Sequence, residues 1–161
     1  MVDLPYGNRD FSMTIILPKE GNNIDALISD MSDESWNLLT SSLSPDTGDI
    51  LLPRFKLEYD IDLKKPLTEM GMGIAFKEGI ADFSNMRSQN DLFISSVLHK
   101  TFVEVNEEGT EAAAVTVVRI GLTSDGPSHG FSMIINRPFL FVIRENRSGA
   151  IMFIGKIVNP K

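Results

Sequence analysis

The chain has 161 residues, of which 42% are hydrophobic and 23% charged, with a net charge of −7. That is the length of one ordinary domain, with the balance of a globular protein rather than a disordered one. The acidic balance argues against nonspecific nucleic-acid or anionic-membrane binding, both of which need a basic surface.

The densest basic spot is Lys64-Lys65, too small for a heparin-type patch. Cysteine is absent, which excludes disulfides and CxxC-type metal sites. The start, "MVDLPYGNRD", has no apolar segment behind a basic one, so no signal peptide is expected. The longest apolar runs, "PFLFVI" and "IMFI", are too short to cross a bilayer and read as buried strands.

In chain order, "FSMTIIL" (11–17) predicts a strand closed by Pro18 and Gly21. Ile24, Leu27, Ile28 and Met31 follow helical spacing, with Asn22 or Asn23 as cap. A second helix is expected from Asp33 to Leu43, capped by Ser32, with Trp36, Leu39 and Leu43 as its buried stripe. "PDTGDILLPRFKLEY" predicts a turn and then one strand. Leu51, Pro53, Phe55, Leu57 and Tyr59 would share one face and Arg54, Lys56 and Glu58 the other.

Asp62 opens a short helix that Gly71 closes, and "KEGIADFSN" is a loop. Residues 92–105 read as one long strand. The end, "FSMIINRPFLFVIREN" and "AIMFIGKIV", reads as a buried hairpin turning at Arg147-Ser148-Gly149. The total is β-rich with two or three small helices.

The stretch 104–124, "EVNEEGTEAAAVTVVRIGLTS", is the least ordinary. Thr110 could cap a helix through the alanines, but Val115, Thr116, Val117, Val118 and Ile120 are β-branched and favour a strand. At period two, Thr110, Ala112, Ala114, Thr116, Val118, Ile120 and Leu122 form an uncharged face that starts small. Glu111 and Arg119 fall on the other face. Small residues at its start suit a segment that slides between close neighbours. Gly109, able to take backbone angles closed to other residues, separates this latent strand from the one before it.

These residues resemble the serpin family. "VLHKTFVEVNEEGTEAAAVT" is similar to the strand and hinge that precede a serpin reactive-centre loop. "LPYGNRDFSMTIILP", "LPRFKLEY", "LTEMGMGIAF", "ADFS" and "NRPFLFVIRENRSGAIMFIGKIVNP" match further serpin blocks in order. The resemblance implies an α+β serpin fold, here only its β-rich C-terminal part. The N-terminal part, with most helices and the neighbouring strands of the main sheet, is expected to be missing.

It also implies a suicide inhibitor of serine proteases rather than an enzyme. The protease cleaves the exposed loop and becomes acylated; the freed loop inserts as a new strand and drags the enzyme out of shape. The hinge would be Glu107, Glu108, Gly109, Thr110, Glu111, Ala112, Ala113 and Ala114. Counting seventeen residues from Glu107 gives a scissile bond between Thr123 and Ser124, suited to elastase- or subtilisin-like proteases. Arg119–Ile120 is the alternative, for trypsin-like ones. His99 matches a position in the sheet-opening region, where its partners come from the N-terminal half; a solvated strand histidine is the other reading. An extracellular or periplasmic location is implied by the family.

Other motifs carry less. "GMG" at 71–73 has Phe76 where a dinucleotide fingerprint needs its third glycine, and no cofactor is expected. Ser124, Asp125, Ser128 and His129 crowd one turn, whereas a triad draws on separate elements. Two histidines, 99 and 129, are too few for zinc. Asn146-Arg147-Ser148 is a glycosylation sequon in a turn, where turn chemistry alone also explains the residues.

Overall fold

The computed structural model describes residues 1–89, 91–106, 109–111 and 130–160. The chain divides into two compact units, Met1–Phe55 with Glu104–Lys161, and Lys56–Val103. The strand Leu98–Asn106 begins in the second and ends in the first.

In the first unit, strands β1 (Val2–Pro5) and β2 (Phe11–Ile16) form a hairpin, and β8 (Phe139–Glu145) and β9 (Ile151–Ile157) form another. The two join as an antiparallel sheet in the order β1-β2-β8-β9. The β2–β8 register, Phe11↔Glu145 through Ile16↔Leu140, closes the sheet across most of the sequence. Both strands are buried on both faces, which is why they read as continuous apolar runs rather than alternating ones.

One face packs on two helices. Ile16, Leu140 and Val142 cluster with Ile24, and Leu27, Met31 and Trp36 pack around them. Ile24 and Leu27 come from α1 (Ile24–Ser29), Trp36 from α2 (Asp33–Ser41) and Met31 from between them. The Asn23 side chain caps α1 by accepting from Asp25 N–H, and Ser32 with Ser35 forms a reciprocal capping box on α2. No residue of α2 is fully buried; Trp36 and Leu39 are half-buried. On the other face Phe55 meets Phe139 edge-on at 5.8 Å and Phe141 at 5.2 Å between ring centroids. Thr14, wholly buried, donates to Asp3 at 2.5 Å and accepts from Arg144 at 3.3 Å, and Arg144 bonds Asp3 at 3.2 Å. Each charge at this rim therefore has a partner, which offsets its desolvation.

Strands β3 (Gly48–Leu51) and β7 (Phe131–Ile134) pair in parallel, from Gly48↔Phe131 to Leu51↔Ile134. In the second unit, β4 (Phe55–Asp62) neighbours β5 (Leu98–Asn106), and α3 (Lys64–Glu69) runs into a 3-10 turn, Met72–Phe76. Gly71, at φ 104°, makes the junction in the left-handed region that favours glycine.

Three expectations are corrected. The single strand expected after Pro45 is two, β3 and β4, separated by Leu52–Arg54. Pro53, which has no N–H to give a ladder, sits in the break. The long strand expected over 92–105 begins only at Leu98. Upstream, Ile94 N–H bonds Ala75 O and Val97 N–H bonds the Asp62 carboxylate, so those donors are spent before any ladder forms. The final segment breaks into β7 and β8, and β7 pairs with β3 rather than entering the hairpin.

Gly155 sits in register with Phe141, and a Cβ there would lie 2.4 Å from the Phe141 ring. That ring is 1% exposed and braced by Phe55, so it cannot yield. Gly155→Ala should destabilise the protein by about 1–3 kcal/mol, read as a lower urea midpoint with an unchanged slope.

Candidate functional site

The candidate site is the C-terminal end of β5 and the segment after it. β5 contains the longest strand-forming stretch of its region, with β-branched Thr101, Val103 and Val105 on one face. That face grades from exposed His99 through half-buried Thr101 to buried Val103 and Val105. The opposite face stays open, with Leu98 and Phe102 exposed. Lys56 Nζ stands 5.1 Å over the Phe102 ring, a cation–π contact that ties β4 to β5.

The start of β5 is held by Asp62. Its carboxylate accepts Lys64 N–H at 2.9 Å and Val97 N–H at 3.2 Å, linking the first turn of α3 to the residue that precedes the strand. Those two backbone bonds, that from Lys64 first, hold the Asp62 carboxyl below its ordinary pKa.

At its other end β5 turns back on itself. The strand β6 (Gly109–Glu111) pairs antiparallel with it, Asn106↔Gly109, Val105↔Thr110 and Glu104↔Glu111. The expected glycine joint and the two residues after it are thus strand, in ladder contact with the element they follow. Gly109, Thr110 and Glu111 are strand, as the β-branched run after them favours. Glu107, Glu108, Ala112, Ala113 and Ala114 lie outside the described residues, as do both candidate scissile bonds, Thr123–Ser124 and Arg119–Ile120.

His99 is on β5, exposed, with its Nε2 2.9 Å from Thr101 Oγ1 two residues on. Among the described residues, no group of three or more His, Asp or Glu could hold a metal ion, and no helix is long and apolar enough to cross a membrane. The Asp62 tether escaped the sequence reading. An aspartate just before a helix signals capping, but nothing local says that its second bond reaches 35 residues onward.

Comparison with known proteins agrees with this geometry. The family model "Serpin (serine protease inhibitor)" matches residues 1–160. Serpin B10 of Rattus norvegicus is 42% identical over 161 residues, covering 99% of this chain and 40% of the relative. Intracellular coagulation inhibitor 1 of Tachypleus tridentatus is 40% identical over 159 residues, covering 98% and 38%. Among solved structures, the native thermophilic serpin tengpin superposes with a TM-score of 0.71 at 33% identity, over 96% of this chain and 40% of that one. Native protease nexin-1 with heparin superposes at 0.77 with 32% identity, over 98% and 40%. The chain belongs to the serpin family, whose description is that of serine protease inhibitors. Its α+β elements are those of a partial serpin fold, and it spans about 40% of the length of the relatives it matches.

Asp62→Asn should loosen the entry to β5. Because the folded carboxyl is held low, its contribution is complete above the ordinary carboxylate range and is lost as pH falls through the lower folded value. The thermal midpoint of the variant should therefore lie below wild type at pH 7. The gap should narrow steadily from about pH 4 downward; a gap independent of pH would show that the carboxylate charge plays no part.

Proposed function

We propose that this chain carries the working loop of an inhibitory serpin, and that it forms the C-terminal part of a longer single domain. The observation that supports this most is the β5–β6 register: the hinge residues Gly109, Thr110 and Glu111 already form ladder pairs with β5. Antiparallel pairing of this kind is the first step of strand addition, and the uncharged, initially small face of 110–122 suits its continuation. A dozen further backbone bonds at about 0.5–1.5 kcal/mol each, with apolar burial, would release on the order of ten kcal/mol on insertion. That is enough to drag a tethered acyl-enzyme out of alignment before it deacylates.

In this reading Glu107 to Ala114 form the hinge. The target is a serine protease cut at Thr123–Ser124, elastase- or subtilisin-like in preference. Arg119–Ile120 for a trypsin-like enzyme is the second possibility. His99 contributes to sheet opening through partners supplied by the N-terminal half. The 40% coverage of relatives supports the need for that half. So do Ile151, Met152 and Ile154, large apolar residues exposed on β9. By itself the chain acts as a plain substrate, because the strand that would flank the inserted loop is not in it. On compartment, the name of one relative says intracellular of that protein, and we set an intracellular reading ahead of the extracellular or periplasmic one.

Mixed with an elastase- or subtilisin-type protease, the full-length protein should form an SDS-stable adduct. The peptide released should begin at Ser124 by mass spectrometry, or at Ile120 if the trypsin-like reading is right. Thr110→Arg puts a charge on the face to be buried, at a cost of several kcal/mol. Cleavage should persist while the adduct falls at least about tenfold; an undiminished adduct overturns the hinge assignment. The 161-residue chain alone should be cut without trapping the enzyme.

A further inference from the structure

Asn146-Arg147-Ser148 is the only Asn-x-Ser/Thr sequon in the sequence. Its acceptor nitrogen is not free. Asn146 Nδ2 donates to Ser12 Oγ at 2.7 Å and to the Arg9 carbonyl at 2.8 Å, so both amide protons are committed. The amide orientation follows from its partners: a carbonyl accepts only, so the atom facing Arg9 O must be the nitrogen. Oδ1 is shut off from solvent with no partner among the described atoms. The Asn146 backbone is pinned as well, its N–H bonding Asp10 O at 2.7 Å. Arg9 takes a left-handed φ of 72°, unfavourable for a residue with a Cβ by about 1–2 kcal/mol, while its carbonyl receives the Asn146 amide. Ser12 is 1% exposed. The side chain is thus a bolt between the β1–β2 turn and the end of β8, not a turn residue pointing at water.

We infer that this sequon is an N-glycan acceptor only in the unfolded chain, and that a sugar there and the native fold exclude one another. In the transfer, Nδ2 bonds the anomeric carbon of an activated sugar, a diphosphate leaves, and one amide proton is lost. A carbon bonded at about 1.5 Å from Nδ2, along either occupied direction, would lie about 1.3 Å from the accepting oxygen. Carbon and oxygen need roughly 3.3 Å. The sugar therefore displaces Arg9 or Ser12, and the β1–β2 corner opens.

The test treats the full-length protein with a soluble N-glycosyltransferase that moves glucose from its nucleotide diphosphate to sequon asparagines, once folded and once unfolded in urea. Peptide mass at Asn146 is the readout. The unfolded chain should accept hexose at least about tenfold faster than the folded one. Ser12→Ala, which frees one amide proton and keeps the sequon, should raise the rate for the folded protein. Hexosylated chain returned to native buffer should melt below the unmodified protein. Equal rates for folded and unfolded wild type, or a hexosylated protein with the unmodified midpoint, would overturn the inference.

Discussion

The first unit depends on one pairing. β2 and β8 are joined by six register pairs between residues near opposite ends of the chain. Nothing local brings them together; the loop-closure entropy is recovered only when both strands are buried on both faces. Once they are, every other element has a place. β1 and β9 extend the sheet by short hairpins, α1 and α2 cover Ile16, Leu140 and Val142, and Phe55 closes over Phe139 and Phe141. The polar contacts at the rim serve the same junction. Arg144 reaches Asp3, and Asn146 reaches Arg9 and Ser12.

Around the hinge the organisation is different. β5 lies between β4 and β6 in its sheet, and two side-chain contacts add to that, one carboxylate at its start and one lysine over a ring on its open face. Those side-chain contacts are modest compared with the core of the first sheet. Its end carries three ladder pairs with β6. A strand anchored upstream and paired at its tip presents a ready template. The loop insertion we propose would draw on that backbone geometry rather than on any reactive side chain.

Much of this was legible in the residues. Asn23 and Ser32 sit where caps belong, and each caps its helix. "FSMTII" and "PFLFVI" read as buried strands because both faces are apolar or small. The hinge we propose rests on an absence of charge at period two, combined with a glycine before it. The family resemblance carried by the same residues is matched along 1–160. The breaks were harder. Pro53 forecasts one of them by its missing N–H, yet alternation of Leu51, Phe55 and Leu57 across it masked the split. The late start of β5 had no local signal, because it follows from where Ala75 and Asp62 stand in space.

Periodicity, capping and turn chemistry act within a few residues of their cause, so the amino-acid order alone determined the helices and the buried strands of the first sheet. Partner choice acts across the chain. That β7 joins β3, that Asp62 stops the ladder before Leu98, and that the Asn146 amide is spent on Arg9 and Ser12 were decided only by the tertiary structure. A hydrogen-bond donor is free or occupied according to what folding brings beside it, and no run of neighbouring letters records that.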